Sequence, residues 1–534
     1  MTTEEIAHAL KLTAQLMELH NENPFKIKSI ANAAYKLDKT DINLEGKSLQ
    51  ELETIEGIGK GIASKINELQ STGNLKELDE MVSKTPVGVI DMMGVKGIGP
   101  KKVGQLWREL EIESIGELLY ACNENRLITL KGFGAKTQAE VKKQIEFHQS
   151  NRGKFHYADV EEFAFKLVDV LKKKYATSFV SLTGDMRRKC EVIDKIEILI
   201  ASESDVNIDD IENRMSVKVV LIVCSESEFY NKLFETTANE NHLSQLNYQH
   251  TNLFSSEEEI YQSLALPYIA PELREGLNEV NLARENKIPK LIELTDLRGI
   301  LHNHSTYSDG LNTLKDMAEY CKELGYEYLG MCDHSQSAFY AEGLKPDRVI
   351  AQHLEIDELN KKLFPFKIFK GIESDILNDG SLDYEEDILK TFDFIVASVH
   401  SNLKMNEEKA TARLIKAIEN PYTTILGHPT GRLLLSRPGY PINHKKVIDA
   451  CAANGVIIEL NAHPYRLDID WRWIPYCLEK GVKISINPDA HAKQGYHDMY
   501  YGTCVARKGM LTKEMCFNAL NKEEIEIYFD ARKK

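Results

Sequence analysis

Asp296-Leu-Arg-Gly-Ile-Leu-His-Asn-His-Ser-Thr-Tyr-Ser-Asp-Gly310 opens the last part of this 534-residue chain. Side chains on a strand alternate faces, so His302 and His304 share one face and both imidazoles can reach one ion. Asp309 follows in a Ser-Asp-Gly turn. Further on come Cys332-Asp-His-Ser335, Gly371-Ile-Glu-Ser-Asp375, Ser398-Val-His-Ser401, Leu426-Gly-His-Pro429 and Asn487-Pro-Asp-Ala-His491. Most of them directly follow an apolar run: residues 328–331, 366–370, 394–399, 424–426 and 483–486, with another run at 455–460. These runs alternate with helical patterns, the rhythm of β/α units around a parallel sheet or barrel. Catalytic groups of such folds sit at the C-terminal strand ends. A lone histidine behind a strand is commonly structural. Nine donors in matching places (His302, His304, Asp309, His334, Glu373, His400, His428, Asp489 and His491) predict a metal-binding site.

The rest of the chain is too long for one core, and three to four domains are expected at roughly 150 residues each. A hydrophobic fraction of 43% with 28% charged residues fits a folded chain. The N-terminus carries acids early and reads as no signal peptide. No window approaches the roughly 18 apolar residues of a membrane span. Nine scattered cysteines form no CxxC pair. A reduced, cytoplasmic, monomeric protein is therefore expected, without disulfides or a structural zinc framework. The net charge of −16 disfavours a polyanion partner unless charge is segregated. It is: residues 131–154 hold six Lys or Arg against two Glu.

Residues 1–150 read as helices broken by glycine turns. Ile55-Glu-Gly-Ile-Gly-Lys-Gly-Ile-Ala-Ser-Lys-Ile66, Met93-Gly-Val-Lys-Gly-Ile-Gly-Pro-Lys-Lys-Val103 and Leu130-Lys-Gly-Phe-Gly-Ala-Lys-Thr137 repeat one pattern. Gly57 and Gly59, Gly97 and Gly99, and Gly132 and Gly134 let backbone amides at a helix start approach a phosphate. Lys60, Lys101, Lys102 and Lys136 add charge. Tight helix packing would explain one such run; three resemble helix-hairpin-helix motifs, which implies sequence-independent DNA binding at gapped or 3′-end substrates.

From Lys11 to Arg298 the chain resembles bacterial family X DNA polymerases, through these hairpins, Thr183-Gly-Asp-Met-Arg-Arg188 and Leu266-Pro-Tyr-Ile-Ala-Pro-Glu-Leu-Arg-Glu-Gly276. The resemblance implies a nucleotidyltransferase palm with a Gly-Ser-x-Arg-Arg turn and three metal-binding aspartates. Here Asp185 replaces the serine, Lys195 and Glu197 occupy the Asp-x-Asp positions, and Val220 takes the third. Asp194 lies on the opposite strand face from Lys195 and Glu197. The later Thr-Gly-Ser-x-x-x-Asn stretch is reduced to Thr236-Thr-Ala-Asn-Glu240. A lysine repels divalent cations and a valine cannot ligate them, so templated synthesis is expected to be lost. Arg187 and Arg188 remain for phosphate contact or internal ion pairs. Lys65 matches the position of a Schiff-base lysine in family X repair polymerases, the plain alternative being an exposed helix lysine.

Residues 298–529 resemble the PHP domain (polymerase and histidinol phosphatase). The implied architecture is multidomain α and α/β: 1–85 helical with a helix-hairpin-helix, 86–150 helix-hairpin-helix fingers, 151–290 a polymerase-β-like palm and thumb, and 291–534 a (β/α)₇ PHP barrel. Family analogy implies up to three ions, Mn, Zn or Fe with Mg as a further choice. His302, His304, Glu373 and Asp489 would hold the first, Asp309, His334 and His491 the second, and Glu373, His400 and His428 the third. Such ions lower the pKa of water, so no protein nucleophile is required. Glu373, Asp489, His491 and Arg432 are the expected catalytic residues, with Arg432 on a substrate phosphate. His463 is a weaker substrate contact, and His353, His444 and His497 read as non-ligands. The expected function is 3′–5′ exonuclease or DNA end processing in repair. The alternatives are an active gap-filling polymerase with a PHP exonuclease domain, a non-catalytic DNA scaffold, or a small-molecule phosphatase.

Overall fold

The structure is a computed structural model. It describes residues 1–532 apart from 40, 41, 45, 124, 125, 209–212, 214–216 and 251. The last two positions of the expected 291–534 domain lie outside the described residues. The chain divides into two compact units, Met1–Arg152 and Gly153–Lys534.

The first unit is helical. Its helices start where the sequence supplies caps: Thr2 with Glu5 before Thr3–Leu19, and Ser48 with Glu51 before Leu49–Glu53, each form a reciprocal capping box. One apolar core runs from Ile6 through Ile66 and Leu106 to Ile145, so both hairpin regions share it. The three hairpins are built alike. Gly57, Gly97 and Gly132 take left-handed φ values of 84°, 92° and 88°. Gly59 and Gly99 then cap helices Lys60–Thr72 and Pro100–Leu110 without a side chain, leaving amides free.

The second unit begins with β1 (Phe155–His156) and helix Tyr157–Lys174, whose Val160, Ala164, Leu167 and Leu171 recur at helical spacing and are buried. That stripe packs with β2 (Val180–Thr183), β4 (Lys195–Ala201) and β5 (Lys218–Cys224) into one core. β2 pairs antiparallel and β5 parallel to β4. β3 (Val192–Ile193) pairs with β1.

Seven strands then form one parallel sheet in sequence order: β6 (Gly299–Ile300), β7 (Tyr328–Met331), β8 (Lys367–Asp375), β9 (Phe394–Ser398), β10 (Ile425–Leu426), β11 (Ile457–Asn461) and β12 (Ile484–Asn487). Buried on both faces, they read as continuous apolar runs. The two edges meet past the strand ends, where Asn303 bridges Ala490 and His304 N donates to Ala490 O at 2.8 Å. The sheet is thus a nearly closed (β/α)₇ barrel. Inside it Phe394 stacks on Phe529 of the last helix, Lys522–Arg532. Gly330 and Gly371 make room for that ring, since a Cβ at either would collide with it.

Candidate metal centre

His302 and His304 lie just beyond β6 in extended chain, with Asn303 turned the other way to donate to Gly330 O and to accept from Tyr496. That alternation points both imidazoles inward, where each is fully buried. Asp309 comes from the following turn, His334 from beyond β7, Glu373 from β8, His400 from beyond β9, His428 from beyond β10, and Asp489 and His491 from beyond β12. All nine residues singled out by the sequence come together. Donor atoms of His304, Asp309, His334 and His491 lie within 4.8 Å of one another, as do those of His302, His304 and Asp489, and those of His334, Glu373 and His400. His304 and His334 each belong to two groups, unlike in the family-based division. His428 Nε2 instead hydrogen-bonds Glu373 Oε1 at 3.0 Å.

Electrostatics bind the cluster into one network. Burial alone would raise Glu373, yet His400, His302 and His334 hold it well below the carboxylate range. Asp489 is held down likewise by His302, His304 and Arg466. Burial with His491 and His334 pushes His304 down to about 3. Burial opposes charge on His400 too, but Glu373 and Asp375 raise it to about 10. Asp489 has a left-handed φ of 52°, a conformation Asp tolerates better than most residues.

A cation suits this donor set. His302 Nε2, His304 Nδ1, His334 Nδ1, Glu373 Oε2 and His428 Nδ1 are buried without a well-aligned hydrogen bond among the described residues, although His334 Nδ1 and Glu373 Oε2 stand only 2.9 Å apart. Such groups are costly in a folded chain unless a cation engages them. Imidazole and carboxylate together fit Mn²⁺, Zn²⁺ or Fe²⁺.

Several supporting residues were not singled out from the sequence. Glu459 Oε1 lies 2.6 Å from His302 Nδ1 and accepts from Asn487 Nδ2 at 3.1 Å, while Oε2 accepts from His428 N at 2.8 Å. Asp375 Oδ1 meets His400 Nδ1 at 2.8 Å. Asp333 accepts from Ser305 N, Ser308 and Gln352. Their signal was present: an acid ending an apolar strand seldom stays buried without a partner.

Arg432 is held by loop contacts in the structure. Its guanidinium donates to Asp470 at 2.7 Å and to the carbonyls of Arg466 and Leu467, tying two loops together. The arginine beside the cluster is Arg466, with Nε 3.7 Å from Asp489 Oδ2. His463, close in sequence, accepts from Tyr465 N at 3.2 Å. The three histidines read as non-ligands are engaged elsewhere, His353 against Phe392, His444 stacked on Trp473 and His497 with Tyr320.

In the sheet of β2, β4 and β5, Glu197 stands opposite Val220 and Lys195 opposite Lys218. Lys195 Nζ bonds Glu197 at 2.9 Å. Asp185 pairs with Arg188, and Arg187 with Glu257 at 2.5 Å. These side chains satisfy one another. In the helical unit Lys65 is paired with Glu77, which also holds Lys26. Lys60, Lys101 and Lys136 are exposed at their hairpins, and Lys102 lies over the Phe133 ring at 5.4 Å.

Known families match in the same order. Residues 1–75 match a helix-hairpin-helix domain, 89–146 a SAM-like helix-hairpin-helix tandem, and 301–463 the PHP domain. Probable phosphatases of Clostridium novyi and Thermoanaerobacter are each 28% identical, over 36% and 44% of this chain and 78% and 94% of theirs. The DNA polymerase/3′-5′ exonuclease PolX of Bacillus subtilis is 31% identical over 99% of both chains. At that identity over nearly the whole of both chains, and with helix-hairpin-helix and PHP models matched along it, this chain belongs to the bacterial PolX family, the family X DNA polymerases that carry a PHP domain.

Proposed function

We propose that this protein is a metal-dependent 3′–5′ exonuclease that trims DNA ends in repair, and that its palm no longer synthesises DNA. The convergence of nine buried or half-buried donors at the C-terminal mouth of the barrel carries the reading. Divalent ions held by His302, His304, Asp309, His334, Glu373, His400, His428, Asp489 and His491 would supply activated water and neutralise phosphate charge. The chain's own groups do the rest. Glu459 and Asp375 fix the orientation of His302 and His400. Arg466 offers a cation at the rim for a phosphate oxygen. The open hairpin glycines and their lysines hold the DNA backbone.

For the palm, the Lys195–Glu197 pair and Val220 speak against a two-metal site, because two ions need carboxylates at these positions. The test uses purified protein with Mn²⁺ and labelled single-stranded, gapped and abasic DNA, with and without dNTPs. Shortened products that vanish in a His302→Ala/His304→Ala variant are expected. Primer extension would restore the gap-filling polymerase reading, and shortening that persists in the variant would remove the PHP site from the reaction.

A further inference from the structure

Beside the metal centre stands a short turn that neither the fold nor the metal chemistry explains. Phe339–Ala341 forms one 3₁₀ turn in the loop after His334. Phe339 is 85% exposed and Tyr340 69% exposed, so neither ring serves the core. The turn itself is rigidly made. Ala338 N donates to Ser335 O at 3.0 Å, Gly343 N to Ala338 O at 3.1 Å, and Ser337 N to Asp383 Oδ2 at 2.6 Å. Gly343 presses so close to Ser335 O that any side chain there would collide with backbone. The Tyr340 ring meets His334 edge-on with centroids 5.9 Å apart, at the wall of the metal cluster.

Two exposed rings on a fixed turn beside a phosphoester site have a clear chemical complement. A planar base is the group that lies next to a phosphodiester in a nucleic-acid strand, and aromatic rings stack on bases of any sequence. We propose that Phe339 and Tyr340 form a stacking platform for the unpaired base at the end of a single strand, and so set the substrate class of the PHP site. The inference rests on the phosphoesterase reading above. A duplex end must fray to use the platform, and a small phosphate ester lacking a base gains nothing from it.

The experiment compares two single-stranded oligonucleotides with the Mn²⁺-loaded full chain. One ends in thymidine, the other in an abasic sugar at the same position. Wild type is expected to favour the thymidine end by about tenfold or more in kcat/KM, as stacking of one base allows. Phe339→Ala/Tyr340→Ala should bring that ratio close to one, whereas Tyr340→Phe, which keeps the ring, should retain it. Equal cleavage of both ends by wild type, or an unchanged ratio in the double alanine variant, overturns the platform. If wild type cleaves neither oligonucleotide, the phosphoesterase reading itself falls.

Discussion

Glu459 Oε1 sits 2.6 Å from His302 Nδ1 in the fully buried base of the metal centre. The contact fixes the ring so that Nε2 faces the other ligands, and the same carboxylate anchors the main chain of His428. One acid on β11 thus aligns the ends of β6 and β10.

Glu459→Gln should therefore weaken metal binding while leaving all nine candidate donors in place. Outer carboxylates on metal-bound histidines typically contribute about 10- to 100-fold in affinity. Calorimetric titration of metal-free protein with Mn²⁺ or Zn²⁺ reads the change directly. Equal affinities in variant and wild type would reduce Glu459 to a packing residue.

Arg274 is fully buried and pairs with Glu257, which also receives Arg187. Burial would raise Glu257, but the two guanidiniums hold it below the usual range. Removing one partner strands a buried charge, at a cost of about 3–5 kcal/mol. Glu257→Gln should lower the denaturation midpoint of the second unit at pH 7. Because the folded value is depressed, the stabilisation is present above the ordinary glutamate value of about 4.3 and lost as pH falls further. The difference between variant and wild type should shrink accordingly at acid pH.

Asp498 shows the opposite sign. Burial pushes it up to about 7, so its ionised form burdens the folded state. The burden is absent below the unfolded value of about 3.9, grows through the interval, and is complete above the folded one. Asp498→Asn should raise Tm at pH 8, through on the order of 1–3 kcal/mol of added stability, and leave Tm unchanged near pH 4. A gain of the same size at both pH values would contradict this assignment.

Gly59 and Gly99 have ordinary negative φ values, and a Cβ at either meets nothing within 4 Å among the described residues. Gly59→Val with Gly99→Val should still fold, with Tm lowered modestly because valine is a poorer N-cap than glycine. The added side chains would stand where a phosphate must approach the amides. DNA affinity at moderate salt should fall several-fold, with a shallower dependence on log salt concentration as phosphate contacts are lost. Unchanged binding would move the DNA contacts elsewhere.

The sequence determined a great deal here by itself. Strand alternation put His302 and His304 on one face, and the repeated apolar-run-then-donor pattern announced both the barrel and the side chains that converge at its mouth. Paired glycines before helices announced the hairpins. These signals are local, and local periodicity survives in one dimension. What only the tertiary structure decided is partnership. Arg432 and Arg466 are both arginines near the same strand ends, but Asp470 and two carbonyls claim the first and leave the second beside Asp489. Lys65 stands where a reactive amine is expected, yet Glu77, from the next helix, takes it. Glu459 reads as one more acid until folding brings it 157 positions back to His302. Pairing energies depend on distance and burial, and neither is written along the chain.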